Sequence, residues 1–176
     1  KRNAAHRATR VRAFEVGRVY VRDATVVDDD AHVAGIRQPL RVAGIAWGER
    51  APQQWGQETR DVDFFDVKGD VEALFAPRVA VFVAATHPAL HPGRCSRIEL
   101  DGKAVGFIGE LHPRWRQAHE LAHAPMLWEI EASALVERDV PRATGIGRRQ
   151  PVWRDLSLVV RDEVTHDRLM TALRRA

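Results

Sequence analysis

Cysteine is nearly absent from this chain of 176 residues, because Cys95 is the only one. A single thiol excludes a disulfide within the chain and a metal site built from several cysteines. Long apolar runs are also missing, and none approaches the roughly 18 residues that a membrane-spanning helix needs. These absences predict a globular protein without a membrane partner, and they make a reducing cytoplasm its expected location.

The N-terminus lacks both an initiator methionine and an apolar segment, since the chain begins KRNAAHR. It therefore does not have the pattern of a signal peptide, and we expect it to be a cut inside a longer protein. A chain of this length suffices for one core, or for one domain and a piece of a second.

Charge is distributed unevenly along the chain. Residues 1–22 carry seven basic residues against one acidic residue, and residues 142–176 carry eight against four. Of the 27 basic residues all but three are arginine, so the two ends are rich in guanidinium groups. Arginine clusters suit contacts with RNA phosphates. A solvated charged surface explains them equally well, and composition alone does not decide between the two.

Apolar alternation predicts a chain made mostly of strands. β-Branched and aromatic residues predict strands over 14–21 and 42–48, the second in the interior of a sheet. A further strand is predicted over 79–84, and another where Met126, Trp128 and Ile130 alternate with acidic residues. After the strand at 42–48, residues 49–60 are predicted to form a polar loop, and Trp55 in this loop is expected to fold back onto the protein.

One segment of the first two thirds shows a clear helical period. Residues 63–75 place five apolar side chains on one face, Asp63 can cap the first turn, and Pro77 prevents continuation. The five are Phe64, Val67, Val71, Leu74 and Phe75. Gly69 inside the helix costs about 1 kcal/mol relative to alanine, which is tolerable if another backbone passes close by. Residues 132–136 are expected to form a further helical turn.

A hairpin is predicted around Asp101-Gly102, because this pair supplies the two positive-φ residues of a type I′ turn between alternating apolar segments. Two blocks with His-Pro dipeptides flank it, HPALHPG at 87–93 and GELHP at 109–113. The residue before a proline avoids helical backbone. These blocks are therefore predicted to mark the ends of strands.

A domain boundary is predicted near residue 141. Residues 141–151 (PRATGIGRRQP) contain two prolines and two glycines and few apolar residues, which is typical of a linker. Beyond it, Leu156, Leu158 and Val160 alternate as in a strand, and Thr165 can cap a helix. One strand and one helix cannot form a core alone. We therefore divide the chain into a domain at 1–141 and, at 142–176, a linker with the incomplete start of a second domain.

Four motifs resemble, in order, those of bacterial phenylalanyl-tRNA synthetase beta subunits. They are VRAFEVGRVY at 11–20, Trp55 with VDFFDVKGDVE at 62–72, the His-Pro blocks from HPALHPG at 87–93 to GFIGELHP at 106–113, and WRDLSLVV at 153–160. Together they cover nearly the whole chain. The sequence departs from the family pattern at Gln150, where many relatives have a proline, and at Trp153, where the pattern has an arginine.

The resemblance implies an α+β fold in two parts. Residues 1–141 are expected to be a non-catalytic core domain of the class II aminoacyl-tRNA synthetase type, an antiparallel sheet with flanking helices. Residues 142–176 are expected to give the first strand and helix of a ferredoxin-like anticodon-binding domain. The chain is then a C-terminal portion of the beta subunit.

The resemblance also implies a function. The whole enzyme attaches phenylalanine to its tRNA, uses ATP and magnesium, and is a cytoplasmic heterotetramer of two alpha and two beta subunits. Activation of phenylalanine belongs to the alpha subunit. This segment is then a scaffold for the alpha subunit and a contact for tRNA, inactive in isolation, with no catalytic residue, metal ligand or cofactor of its own.

Four arginines are the candidates for contact with tRNA. Arg148 and Arg149 lie in the linker, and Arg154 and Arg161 lie along the strand expected after it, where arginines can follow a phosphate backbone. Neighbouring residues of a strand point to opposite faces. Either Arg154 or the adjacent Asp155 could therefore turn inward to a structural partner.

A free-standing metal-dependent hydrolase is the alternative function. His87, His91 and His112 could supply three nitrogen ligands, and Glu110 a general base. A spacing of four residues between His87 and His91 needs a helix to bring both rings to one face, and the prolines that follow them oppose a helix. Hydrogen bonds that hold the ends of loops are therefore the favoured role of these histidines.

Two other motifs are interpreted as structural. The string GIGRR at 145–149 imitates a phosphate-binding turn, but Pro151 follows too soon for a long helix to begin there. Cys95 could act as a nucleophile beside His91, but no third residue is in place to orient the pair. A small buried residue is the favoured interpretation of Cys95.

Overall fold

The computed structural model of the chain describes residues 8–30, 32–136 and 152–175. The chain divides into two compact units, one within 1–141 and the other within 142–176. The described residues of the first unit form eight strands and three helices, and those of the second form one helix. The strands are β1 (Arg10–Arg18), β2 (Val21–Arg22), β3 (Ile36–Arg37), β4 (Leu40–Gly48), β5 (Val81–Ala84), β6 (Leu90–Leu100), β7 (Lys103–Leu111) and β8 (Met126–Glu131). The helices are α1 (Phe64–Phe75), α2 (Pro113–Ala118), α3 (Ala132–Val136) and α4 (His166–Arg175).

Six of the strands form one sheet in the order β1-β4-β8-β7-β6-β5, and β2 and β3 pair separately. Every neighbouring pair in the large sheet is antiparallel. The predicted α+β fold with an antiparallel sheet is therefore confirmed, and β4 is paired on both sides as expected. The strand predicted over 14–21 ends earlier, at Arg18, where the chain leaves the large sheet before it continues in β2.

Helix α1 begins where the sequence predicts. The Asp63 carboxylate accepts a hydrogen bond from the backbone N–H of Asp66 at 3.0 Å, and the Asp66 carboxylate accepts from the N–H of Asp63 at 3.0 Å. This reciprocal pair is a capping box, which satisfies backbone donors that the first turn leaves free.

One face of the sheet forms the core against α1. The helix contributes Val67, Val71 and Phe75, and the strands contribute, among others, Ile98, Ile108 and Ile130, all of them no more than 1% exposed. Burial of such side chains stabilises a fold by about 1.5–3 kcal/mol each.

Two residues of α1 bear on the sequence analysis. Leu74 is 37% exposed, and it lines a groove with Ala46 of β4 and Trp128 of β8 on the apolar face of the helix. A Cβ atom added at Gly69 would meet no other atom within 4 Å, so no backbone passes close to this glycine.

The hairpin between β6 and β7 is confirmed. Asp101 and Gly102 have φ angles of 51° and 77°, the left-handed backbone that a type I′ turn requires at both central positions. Of the His-Pro dipeptides, His87-Pro88 lies just before β6, and His112-Pro113 lies at the change from β7 to α2, as predicted.

The dipeptide His91-Pro92 departs from that prediction because it lies inside β6. The pairing of β6 with β7 passes from Leu90 opposite Leu111 to Cys95 opposite Gly109. Four residues of β6 therefore stand against a single residue of β7, which is a bulge. Proline is tolerated at a bulge because its missing N–H is not needed for pairing.

Trp55 also departs from its prediction, since it is fully exposed. The loop that carries it is fixed at its base by backbone pairing. The N–H of Arg50 donates to the carbonyl of Arg60 at 2.9 Å, and Glu49 and Asp61 form an isolated antiparallel β-bridge. Residues 52–60 of this loop are all exposed. The indole consequently does not fold back onto the protein.

In the second unit, helix α4 confirms the prediction of a helix capped by Thr165, whose Oγ1 accepts from the N–H of Arg168 at 3.3 Å. The strand expected over 156–160 does not form. A strand needs a neighbour to satisfy its backbone groups, and the described part of this unit, 152–175, offers no second strand. The alternation of Leu156, Leu158 and Val160 is therefore not sufficient for a strand here.

Candidate functional site

The three histidines of the His-Pro dipeptides make the same local hydrogen bond. In each case the Nδ1 atom accepts from the backbone N–H two residues further on: Ala89 for His87 at 3.3 Å, Gly93 for His91 at 3.0 Å, and Arg114 for His112 at 3.1 Å. The bond of His112 also caps α2, whose first residue is Pro113. These rings hold turns, as the sequence predicts.

The geometry gives the hydrolase alternative no support. Across 8–30, 32–136 and 152–175, no group of three or more His, Cys, Asp or Glu side chains is arranged to hold a metal ion. The proposed base, Glu110, forms an ion pair with Arg94 at 2.5 Å, and this bond raises the pKa of the Arg94 guanidinium. Cys95 is buried, and burial raises the pKa of its thiol. A buried neutral thiol is a weak nucleophile.

The face of the sheet opposite α1, here called the open face, carries a row of side chains from five strands. In antiparallel pairs, residues in register point to the same face. Glu15 stands beside Ala43, Ala43 beside Glu129, Glu129 beside Phe107, and Phe107 beside Arg97. The small Ala43 lies between two carboxylates and leaves a depression in this row.

A cavity of about 240 Å³, here called the open-face cavity, lies over that depression. The strands β4, β7 and β8 line it, and the segment before β6 closes one side with His87, Ala89 and Leu90. The ring centroids of His87 and Phe107 lie 5.0 Å apart. The remaining lining residues are Ala43, Leu127 and Glu129 of the open face, together with Gly44 and Trp128, which strand alternation assigns to the core face. The cavity is therefore an apolar hollow with one carboxylate at its edge.

Negative charge dominates beside the open-face cavity. Arg41 contacts Glu129 directly and lies 3.6 Å from Glu131, so one guanidinium stands between two carboxylates. Glu15 is exposed and forms no ion pair with another described residue. At the other end of the row Arg97 is neutralised by Glu99.

Of the four arginines predicted to contact tRNA, two lie within the described residues. Arg148 and Arg149 lie outside the described residues. Arg154 and Arg161 are exposed in the second unit, and Asp155 is exposed as well, so neither member of the Arg154-Asp155 pair is turned inward. Their contact with tRNA stays a prediction.

Sequence patterns singled out His87, Phe107 and Trp128 in separate motifs but did not bring them together in a cavity, and they missed a basic aromatic cluster on α2. In that cluster the Arg114 guanidinium lies 4.6 Å from the ring centre of Trp115, and the ring of His119 stacks against the indole at 6.4 Å. The run PRWRQ at 113–117 was a usable signal for it. The cavity residues come from segments that are distant in sequence, so no local pattern shows that they meet.

The family model of the phenylalanyl tRNA synthetase beta chain CLM domain matches residues 1–132. The chain belongs to this family. The resemblance found in the motifs is thereby confirmed.

Curated relatives agree over the whole chain. The phenylalanine–tRNA ligase beta subunit of Burkholderia lata is 51% identical over 176 residues, which is 100% of this chain and 22% of that protein. The subunit of Ralstonia nicotianae is 52% identical over 174 residues, 99% of this chain and 22% of that protein. The subunit of Bordetella parapertussis is 51% identical over 162 residues, 91% of this chain and 20% of that protein.

The chain therefore spans about a fifth of the length of the curated relatives it matches. Those relatives are named as ligase subunits, which leaves the hydrolase alternative unsupported. Among the described residues, no helix is long and apolar enough to cross a membrane.

Proposed function

We propose that this chain is a segment of the beta subunit of a phenylalanine–tRNA ligase, the enzyme that attaches phenylalanine to its tRNA with ATP. The observation that carries the proposal is the identity of 51% over all 176 residues with a relative of that name. Because such identity extends across both compact units, the proposal covers the whole chain.

The segment's own role is that of a scaffold rather than a catalyst. Local hydrogen bonds occupy the histidine Nδ1 atoms, an ion pair occupies Glu110, and burial keeps Cys95 neutral, so the groups best suited to chemistry have structural duties. Catalysis then belongs to an alpha subunit, in a cytoplasmic heterotetramer of two alpha and two beta subunits. ATP and magnesium serve that whole enzyme.

The finer architecture is part of the same proposal. Residues 1–141 form a non-catalytic domain of the class II synthetase type, which the antiparallel sheet with α1 on one face supports. Residues 142–176 begin a ferredoxin-like anticodon-binding domain, and the capped helix α4 supports its first helix. The segment is then a C-terminal portion of the subunit.

Reconstitution tests the scaffold role. The full-length subunit that carries this chain is mixed with the candidate alpha subunit, and complex formation and phenylalanine-dependent exchange of ATP and pyrophosphate are measured. We expect a stable complex, exchange with both subunits present, and none with the beta subunit alone. Exchange by the beta subunit alone, or failure to bind the alpha subunit, contradicts the scaffold role.

Charge reversal tests the contact with tRNA. In the reconstituted enzyme, Arg148→Glu combined with Arg149→Glu should weaken tRNA binding and lower the dependence of log K on log salt by about 0.9 for each phosphate that is no longer neutralised. Formation of phenylalanyl-adenylate should not change. Lys103→Glu combined with Arg116→Glu, at exposed positions of the first unit outside its basic N-terminal segment, is the matched control. Loss of adenylate formation with unchanged tRNA affinity assigns the linker arginines to subunit packing instead.

A further inference from the structure

We propose that the open-face cavity binds a small cationic molecule with an apolar body, of the class of primary aromatic amines. The proposal concerns a site in the first unit that the scaffold role does not require. It rests on three properties of the cavity: its size, its apolar lining and the sign of the charge at its edge.

The size and lining suit one ring with a short side chain. An apolar cavity of about 150 Å³ is enough to hold benzene, and the open-face cavity measures about 240 Å³. Ala43, Leu127 and Leu90 supply aliphatic surface, and Phe107 supplies an aromatic ring. Aromatic pairs prefer tilted or offset arrangements with centroids about 4.5–7 Å apart. The ring of a ligand can pack against the tilted His87–Phe107 pair in such a geometry.

The charge at the edge selects a cation. Glu129 lines the cavity, Glu15 stands on the other side of Ala43 in the same row, and Glu131 lies two residues further along β8. Against these three carboxylates stands the single guanidinium of Arg41. The edge therefore has an excess of negative charge, which an ammonium group can reduce. Phe107 beside it adds a favourable ring face for a cation.

The geometry also disfavours anionic ligands. Arg97, the other arginine of the row, is already paired with Glu99. A carboxylate placed in the cavity would lie beside Glu129 without a free arginine to receive it among the residues that line it. A neutral ring should bind more weakly than the corresponding amine, and an anionic ring more weakly still.

Methyl NMR of the full-length protein that carries this chain tests the proposal. Alanine methyl groups are labelled with ¹³C, and the signal of Ala43 is identified by its loss in Ala43→Ser. Titration with 2-phenylethylamine should shift the Ala43 signal in a saturable manner. Phenylacetate, which has a similar ring and the opposite charge, should leave that signal in place at the same concentrations.

Two variants and a control locate the binding. Glu129→Gln should weaken the affinity by about fivefold, the size typical of a partly exposed ion pair, and Ala43→Leu should abolish binding by filling the cavity. Glu72→Gln removes a carboxylate of similar exposure that pairs with Lys68 in α1, on the other face of the sheet, and it should leave the affinity unchanged. Because Glu129→Gln conserves shape, it decides the question even if Ala43→Leu fails to fold.

Three results overturn the proposal. They are an Ala43 signal that does not move with 2-phenylethylamine at millimolar concentrations, equal affinity for phenylacetate, or equal loss of affinity in Glu129→Gln and Glu72→Gln. None of them affects the proposed ligase function, which is measured by complex formation and exchange.

Discussion

Trp128 of β8 lies directly over Gly44 of β4 on the core face of the sheet. The two residues are in register, and a Cβ atom built at Gly44 would lie 2.4 Å from the indole ring. Two carbon atoms need about 3.5–4.0 Å. Gly44 therefore provides the space in which the indole packs between α1 and the sheet.

We expect Gly44→Ala to destabilise the protein by about 1–3 kcal/mol, the usual cost of overpacking a core. Urea unfolding followed by tryptophan fluorescence measures the change. Gly17→Ala in the adjacent strand is the control, because a Cβ there meets its nearest neighbour at 3.9 Å, an ordinary contact distance. Equal stability of the Gly44→Ala protein and the parent contradicts the tight packing of the indole.

Gly69→Ala should stabilise the protein by about 0.5–1 kcal/mol. Gly69 lies inside α1 with open space around it, and alanine restricts the unfolded chain more than glycine does. Urea unfolding of this variant is compared with that of Gly102→Ala, which should have the opposite effect because Gly102 has a φ of 77°. A loss of stability in Gly69→Ala indicates that something covers this face of α1 in the whole protein.

The stability contributed by Asp66 should depend on pH. Burial alone raises the pKa of Asp66, but its hydrogen bonds with Arg60 and the Asp63 backbone and the charges of Arg60 and Arg50 outweigh burial, so the pKa lies below its ordinary value of 3.8. A lowered pKa in the folded state adds stability above the ordinary pKa, and this stability is lost as the pH falls through the folded value.

Asp66→Asn should therefore reduce the free energy of unfolding most at neutral pH, and the difference from the parent should shrink as the pH falls below about 4. Urea unfolding between neutral and acidic pH measures it. Asp70→Asn is the control, because Asp70 pairs with Arg12 at an exposed position where ion pairs contribute little. A difference that does not vary with pH would mean that Asp66 acts only through its shape.

His112→Ala should destabilise α2, because the alanine cannot accept the hydrogen bond from the N–H of Arg114. Loss of an N-cap costs about 0.5–2 kcal/mol. Amide exchange of residues 114–118 measures this locally. His112→Asn should restore most of the protection, since asparagine is a good cap. If asparagine does not rescue the helix, the imidazole has a role other than capping.

Replacing the three histidines should not change the metal content of the protein. The combined variant His87→Ala, His91→Ala and His112→Ala should contain as little bound zinc as the parent, since each ring already serves a turn. Elemental analysis after dialysis makes the comparison. A stoichiometric metal in the parent that disappears in the variant would revive the hydrolase alternative.

Local chemistry determined part of the fold without help from the rest of the chain. The capping box of Asp63 and Asp66, the turn at Asp101-Gly102 and the cap at Thr165 involve residues at most three positions apart. Such features form from hydrogen bonds and backbone preferences that depend only on the residue types at neighbouring positions, so they can be predicted from the sequence. The family motifs were equally visible.

Tertiary structure decided the features that depend on partners distant in sequence. Leu156, Leu158 and Val160 alternate as a strand does, yet no neighbour is present in the described part of their unit to pair with them. His91-Pro92 lies within a strand because its partner β7 is shorter and a bulge takes up the difference. Trp55 is exposed because the base of its loop fixes the direction of the tip.

The open-face cavity shows the same division. The sequence determined the residue types, a small alanine in one strand, an apolar ring in another and a carboxylate in a third. Only the register of β4, β8 and β7 brings Ala43, Glu129 and Phe107 into one row. A shift of one residue in the register of any of these strands would turn its cavity residue to the other face of the sheet. The cavity therefore depends on the pairing between strands, which no single segment of the sequence determines.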